Sequence, residues 1–135
     1  MDSEVKEFPS GFQGWSIIVW GVPDYPLLPK VSGKIIERFP ADGIIITSST
    51  AQYGVASEEY YYIDANGQKL PLRPIVGFGT DGSIVDGNRR MDFRQLFIGP
   101  RSSMRTVGPS SCESQAQDLY QRLYPRRSMA AATHP

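Results

Sequence analysis

The chain has 135 residues, no net charge at neutral pH, a hydrophobic fraction of 40% and a charged fraction of 21%. That length supports one domain with a substantial core and leaves hardly room for two, and the apolar content places the chain among globular rather than disordered proteins. The charge is uneven: through Asp81 ten acidic residues oppose six basic ones, and from Asp86 onward eight arginines oppose four acids.

The opening "MDSEVKEFPSGFQG" has neither a basic n-region nor an apolar h-region, so it reads as no signal peptide, with residues 1–8 a flexible N-terminus. A β-sandwich domain is expected over 9–99. "GWSIIVWG" alternates Trp15, Ile17 and Val19 against Ser16, Ile18 and Trp20, and its two apolar faces suggest a central strand covered on both sides. The run Ile17 to Trp20 is the longest apolar stretch and is far too short to cross a bilayer. "VPDYPLLPK" holds three prolines, which forbid a regular central strand and leave a loop or an edge. "GKIIERFP" is a second strand with Ile35 and Phe39 on one face, "ADG" a turn, and "IIITSS" a third strand.

"EEYYYID" is the fourth strand, followed by the hairpin signal "ANGQ", with Asn66-Gly67 expected as a two-residue turn and "QKLPLRPIVGF" returning beside it. Period two pairs Tyr60 with Tyr62 and Tyr61 with Ile63. Ile63 is expected to face the core with Tyr61, which leaves Tyr60 and Tyr62 as an outer patch that Leu119, Tyr120 and Leu123 of the C-terminal helix are expected to cover within the chain. "GTDGSIVDGNRR" reads as a mobile loop or a minimal hairpin, and "FRQLFIG" as the last strand. A linker over 100–109 leads to a helix over 110–125, opened by the capping pair Ser110 and Glu113 and stopped by Pro125. Ala116, Leu119, Tyr120, Leu123 and Tyr124 share one stripe of it, and 126–135 reads as a disordered tail. The expected fold is therefore mainly β: an antiparallel β-sandwich with one C-terminal amphipathic helix.

Chemistry is sparse. Gly77, Gly79 and Gly82 match GxGxxG, but "SIVDGN" follows where a dinucleotide site needs a helix. Asp81, Ser83, Asp86 and Asn88 lack the spacing and the closing glutamate of an EF-hand, and turn chemistry accounts for them. Cys112 is the single cysteine, which excludes an internal disulfide, and with the sole histidine, His134, it makes no zinc set. His134 has no scaffold to hold it as a base. No cofactor, metal or catalytic residue is assigned. Carboxylate-dependent hydrolysis through Glu58, Glu59 and Asp64 remains as the rival to a non-catalytic binding module. Partner-binding candidates are Tyr60, Tyr62, Arg89, Arg90, Leu119, Tyr120 and Leu123, serving a protein partner or a second copy of the chain. A third reading is an anion or single-stranded nucleic acid on the arginine-rich part, disfavoured because Glu58, Glu59 and Asp64 flank the tyrosines.

"GFQGWSIIVWG", "PLLPKVSGKIIERFPADGIIITSS", "EEYYYIDANG" and "LFIG" together resemble a family of small uncharacterised bacterial β domains, often bearing an export or lipoprotein signal. The Pro-x-Asp-Gly at Pro40 to Gly43 is also similar to a strand end of transthyretin-like β-sandwich modules. The resemblance covers residues 11–99 and implies no catalytic residue. Taken as written, the chain is expected to be soluble and cytoplasmic; a leader before Met1 would make it periplasmic or envelope-associated.

Overall fold

A computed structural model describes residues 3–51, 57–72, 78–100 and 114–125. Nine strands and one helix are present among them: β1 (Ser3–Pro9), β2 (Gly14–Trp20), β3 (Lys30–Val31), β4 (Lys34–Arg38), β5 (Ile44–Ile46), β6 (Glu58–Ile63), β7 (Lys69–Pro71), β8 (Phe78–Asp86), β9 (Arg89–Ile98) and α1 (114–123). They form two sheets, ordered β3-β4-β1-β6-β7 (sheet I) and β5-β2-β9-β8 (sheet II). The mainly β sandwich with a C-terminal helix is thus observed.

The pairing, however, is mixed rather than antiparallel throughout. β1 runs parallel to β4 and β6, and β2 parallel to β5. Consecutive strands explain this, because the chain steps from sheet I to sheet II and back. β1 is followed by β2, and β4 by β5, on the opposite sheet. The returns at β4, β5 and β6 each lay a strand beside an earlier one in the same direction, so the opposite sheet serves as the crossover that parallel pairs require, whereas β9 returns antiparallel to β2. Both steps use the same local device. Phe8-Pro9 and Phe39-Pro40 end their strands, the Phe12 N–H donates to the Pro9 carbonyl (3.0 Å), and the Gly43 N–H donates to the Pro40 carbonyl (2.9 Å). The two phenylalanines stack at 4.5 Å. Gly43 sits at φ 73°, and a Cβ there would lie 2.7 Å from the Phe12 ring, so only glycine fits.

Residues 1–8 were expected to be a flexible lead. Instead 3–9 form β1, the middle strand of sheet I, with 4–8 buried. Four charged side chains or prolines in seven residues hide this strand from any hydrophobic pattern. Its parallel neighbours supply the missing partners.

β6 also reverses an expectation. Its register sets Tyr60 opposite Lys6 and Tyr62 opposite Phe8, so both rings join Phe8, Phe39, Ile18, Leu96 and Ile98 between the sheets. Tyr61 and Ile63 take the outer face. Two half-buried tyrosine rings outweigh one isoleucine in apolar area, and Tyr62 secures its hydroxyl by donating to the Phe12 carbonyl (2.9 Å). The following turn is a three-residue loop, Ala65 to Gly67, closed by Asp64 and Gln68, rather than a two-residue one. Asp64 accepts from the Asn66 and Gln68 amides, and Gly67 takes φ 80°.

The stretch read as a mobile loop or a minimal hairpin around Ile84-Val85 is a long hairpin: β8 and β9 pair from Phe78↔Phe97 to Asp86↔Arg89 about the turn Gly87-Asn88. Glycines masked the alternation there. Gly82 leaves room for Phe93, whose ring would lie 2.6 Å from an added Cβ. Helix α1 covers the outer face of sheet II, where Ala116, Leu119 and Tyr120 are buried against Ile17, Val19, Val22 and Met91, with Leu123 and Tyr124 at the border. The helix therefore does not lie on Tyr60 and Tyr62, against the expectation that it covers them within the chain. The expected linker after Pro100, the capping pair Ser110 and Glu113, Cys112, His134 and the tail 126–135 lie outside the described residues.

Candidate functional site

The space between the sheets is apolar at the end built by Phe8, Phe39 and Ile98 and ionic at the other. Alternation along β1 turns Glu4, Lys6 and Phe8 inward, and β4 adds Glu37 at the register position of Lys6. Lys6, 2% exposed, donates to Glu4 Oε1 (2.8 Å) and Glu37 Oε1 (2.6 Å). From sheet II, Arg94 reaches Glu4 Oε1 at 3.5 Å and Asp81 at 2.7 Å. Oε2 of Glu4 and Oε2 of Glu37 are buried with no hydrogen-bond partner.

Burial pushes the Glu37 carboxyl above the usual range; Lys6 opposes this and the neighbouring Glu4 adds to it. Burial works to lower the Lys6 ammonium, yet Glu37 and Glu4 together hold it above its ordinary value. Tyr60 is pushed up strongly by burial and by its hydrogen bond to Glu58. Tyrosine and ammonium are therefore both locked in their protonated forms at neutral pH.

Two clefts flank this cluster. One, of about 280 Å³, is walled by Lys6, Glu58, Tyr60, Asp81, Arg94 and Leu96. The other, of about 350 Å³, lies beneath the Pro-rich loop and is walled by Glu4, Trp20, Leu27, Leu28, Ile35 and Thr50, with Ser49 and Lys30 completing it. The three prolines deny the loop strand pairing, and other bonds fix it. Thr47 Oγ1 donates to the Pro26 carbonyl (2.8 Å), the Leu28 N–H donates to Ser49 Oγ (2.9 Å), and the Ile36 N–H donates to the Pro29 carbonyl (2.9 Å). Held this way, the loop leaves Leu27 72% exposed, with Tyr25 and Val31 also exposed.

The carboxylates proposed for hydrolysis do not converge. Glu58 accepts from Tyr60, Glu59 from Lys34 (2.7 Å) and Tyr61 (2.8 Å), and Asp64 closes the hairpin loop. Lys34 and Tyr61 hold the Glu59 carboxyl below its usual range. Of the calcium candidates, Asp81 pairs with Arg94, Ser83 donates to Asp92 (2.6 Å), and Asp86 accepts from Tyr120 (3.0 Å) on the opposite side of the hairpin.

Among the partner-binding candidates, Tyr60 and Tyr62 line the interior, and Leu119 and Tyr120 are buried under the helix. Arg90 is engaged by Asp92 (2.8 Å). Arg89 lies over the Tyr124 ring at 5.8 Å and, with Arg122 and Leu123, borders an open hollow of about 580 Å³. The inter-sheet cluster was missed because Glu4, Lys6, Glu37 and Arg94 are spread over ninety residues. The one sequence signal was the repeated Phe-Pro that sets Glu7-Phe8 and Arg38-Phe39 side by side.

The profile of a family of unknown function, DUF6843, matches residues 4–106, and the chain belongs to that family. Among solved structures, a protein named "Putative Lipoprotein from Bacillus anthracis" is 23% identical, with a TM-score of 0.76 over 93% of this chain and 97% of that one. This likeness bears on the fold, which the two share. No curated protein matches. The transthyretin-like similarity rests on the Pro-x-Asp-Gly sequence alone.

Proposed function

We propose that this family member is a non-catalytic binding module whose ligand enters the cleft beneath the Pro-rich loop. The observation that carries it is the pairing of a fixed loop bearing the exposed apolar Leu27 with a cleft of about 350 Å³ lined by Trp20, Leu28 and Ile35. Clefts of this size, mostly apolar with a few polar groups, are the usual form of a small-ligand site. Against hydrolysis stand the structural engagements of Glu58, Glu59 and Asp64, each bound to a neighbour within its own strand or turn. The name of the Bacillus anthracis protein supports an envelope-associated placement for this chain too.

A nitrogen–proton NMR titration with a panel of short apolar molecules tests the site. Shifts are expected to cluster at Trp20, Leu27, Leu28 and Thr50, and Leu27→Asp, at an exposed position, is expected to remove them without lowering thermal stability. Shifts confined to Arg89, Arg122 and Tyr124 would instead favour anion binding at the hollow between hairpin and helix, the second reading, which the two arginines lining that hollow support.

A further inference from the structure

The cleft beneath the Pro-rich loop combines an apolar wall with one unmet polar atom. Glu4 is 1% exposed and forms part of that wall. Its Oε1 receives Lys6 at 2.8 Å and Arg94 at 3.5 Å, whereas its Oε2 has no partner. A buried carboxylate oxygen without a donor is unfavourable, and a donor brought by a ligand would relieve it.

Charge narrows the kind of donor. Around the ionic end of the sandwich, Glu4, Glu37, Glu58 and Asp81 face Lys6 and Arg94, an excess of two negative charges when all are ionised. Lys30 at the rim offsets one of them and is itself already engaged. Lys6 and Arg94 are each held by two carboxylates, so an anionic head group meets no uncommitted cation between the sheets. Trp20, Leu27, Leu28 and Ile35 supply apolar surface on the path to Glu4.

We infer that the cleft takes a ligand with an apolar stem and a cationic head of the primary-ammonium kind, with Glu4 receiving the head, an inference that rests on the binding reading above. Glu4 lines the cleft while its Oε2 is buried, so the contact forms with a side-chain rotation at the wall. The stem covers Leu27, and the ammonium completes the hydrogen bonding of Glu4 with a charge-assisted bond.

The test uses the full chain at pH 7 and three six-carbon probes: n-hexylammonium, 1-hexanol and hexanoate. Binding is followed by the amide shifts of Trp20, Leu28, Ile35 and Thr50. Hexylammonium is expected to bind about tenfold more tightly than hexanol, the effect of one added charge-assisted hydrogen bond, and hexanoate least tightly. Glu4→Gln is expected to abolish the preference, so that the variant binds hexylammonium no more tightly than it binds hexanol. Equal binding of hexanol and hexylammonium overturns the cationic head and leaves the binding cleft standing. Absence of shifts with all three probes overturns both. Should Glu4→Gln fail to fold, the order of the three probes on the unmodified chain decides.

Discussion

Lys6→Met removes the centre of the inter-sheet cluster while keeping the length and most of the volume of the side chain. Two short ion pairs vanish, at 2.8 and 2.6 Å, each between groups no more than 2% exposed. Glu4 keeps Arg94 at 3.5 Å, but Glu37 is left without its partner. Leaving a buried charge uncompensated costs about 3–5 kcal/mol, about a fifth or more of the roughly 5–15 kcal/mol that stabilises a typical domain. With a urea dependence of about 2 kcal/mol per molar, the unfolding midpoint should fall by about 2 M. The assay is urea unfolding followed by the fluorescence of Trp15 and Trp20.

The loss should depend on pH. Glu37 already titrates above its ordinary value because of burial, and Lys6 is the largest influence holding it down. Without Lys6 the folded chain binds a proton there more readily than the unfolded chain does. The penalty should therefore shrink as pH falls through the folded pKa towards 4.5. Lys6→Met with Glu37→Leu, which removes both ends of one pair, should recover at least half of the loss, since an apolar replacement of a whole buried pair is often neutral. A Lys6→Met chain within about 1 kcal/mol of the original, or a double variant no more stable than the single one, would refute the reasoning.

Gly43→Ala and Gly67→Ala both place a side chain at positive φ, but only the first meets the Phe12 ring at 2.7 Å. Urea unfolding should give about 1 kcal/mol for Gly67 and distinctly more for Gly43, and equal values would contradict the crossing-turn packing. Leu119→Ala should cost about 2–5 kcal/mol, measured the same way, because Leu119 is buried against sheet II; a change under 0.5 kcal/mol, the size of an ordinary surface effect, would show that the helix is not docked there. Lys6 titrates above 10.5 when folded, so its contribution is complete below that pH and disappears as pH rises through the folded pKa. A stability profile from pH 8 to 12 should fall more steeply for the original chain than for Lys6→Met, and parallel profiles would exclude a paired ammonium.

Local pattern was enough for β2, β4, β5, β6 and the apolar stripe of the helix, because each repeats its hydrophobic residues at the period of its own geometry. It located the turn at Asp64 to Gln68, where Gly67 takes the positive φ, but not its three-residue length. Three things were decided only when distant segments met. β1 has a strand's surroundings because β4 and β6 flank it, and nothing in Ser-Glu-Val-Lys-Glu announces a buried centre. The face of each tyrosine in β6 followed from the register with Lys6 and Phe8, which period two leaves open between its two choices. The ionic cluster exists because a charge buried on one strand is tolerated only where another strand places its opposite within about 3 Å, and that meeting of Lys6 with Glu37, 31 residues apart, is a property of the sheet.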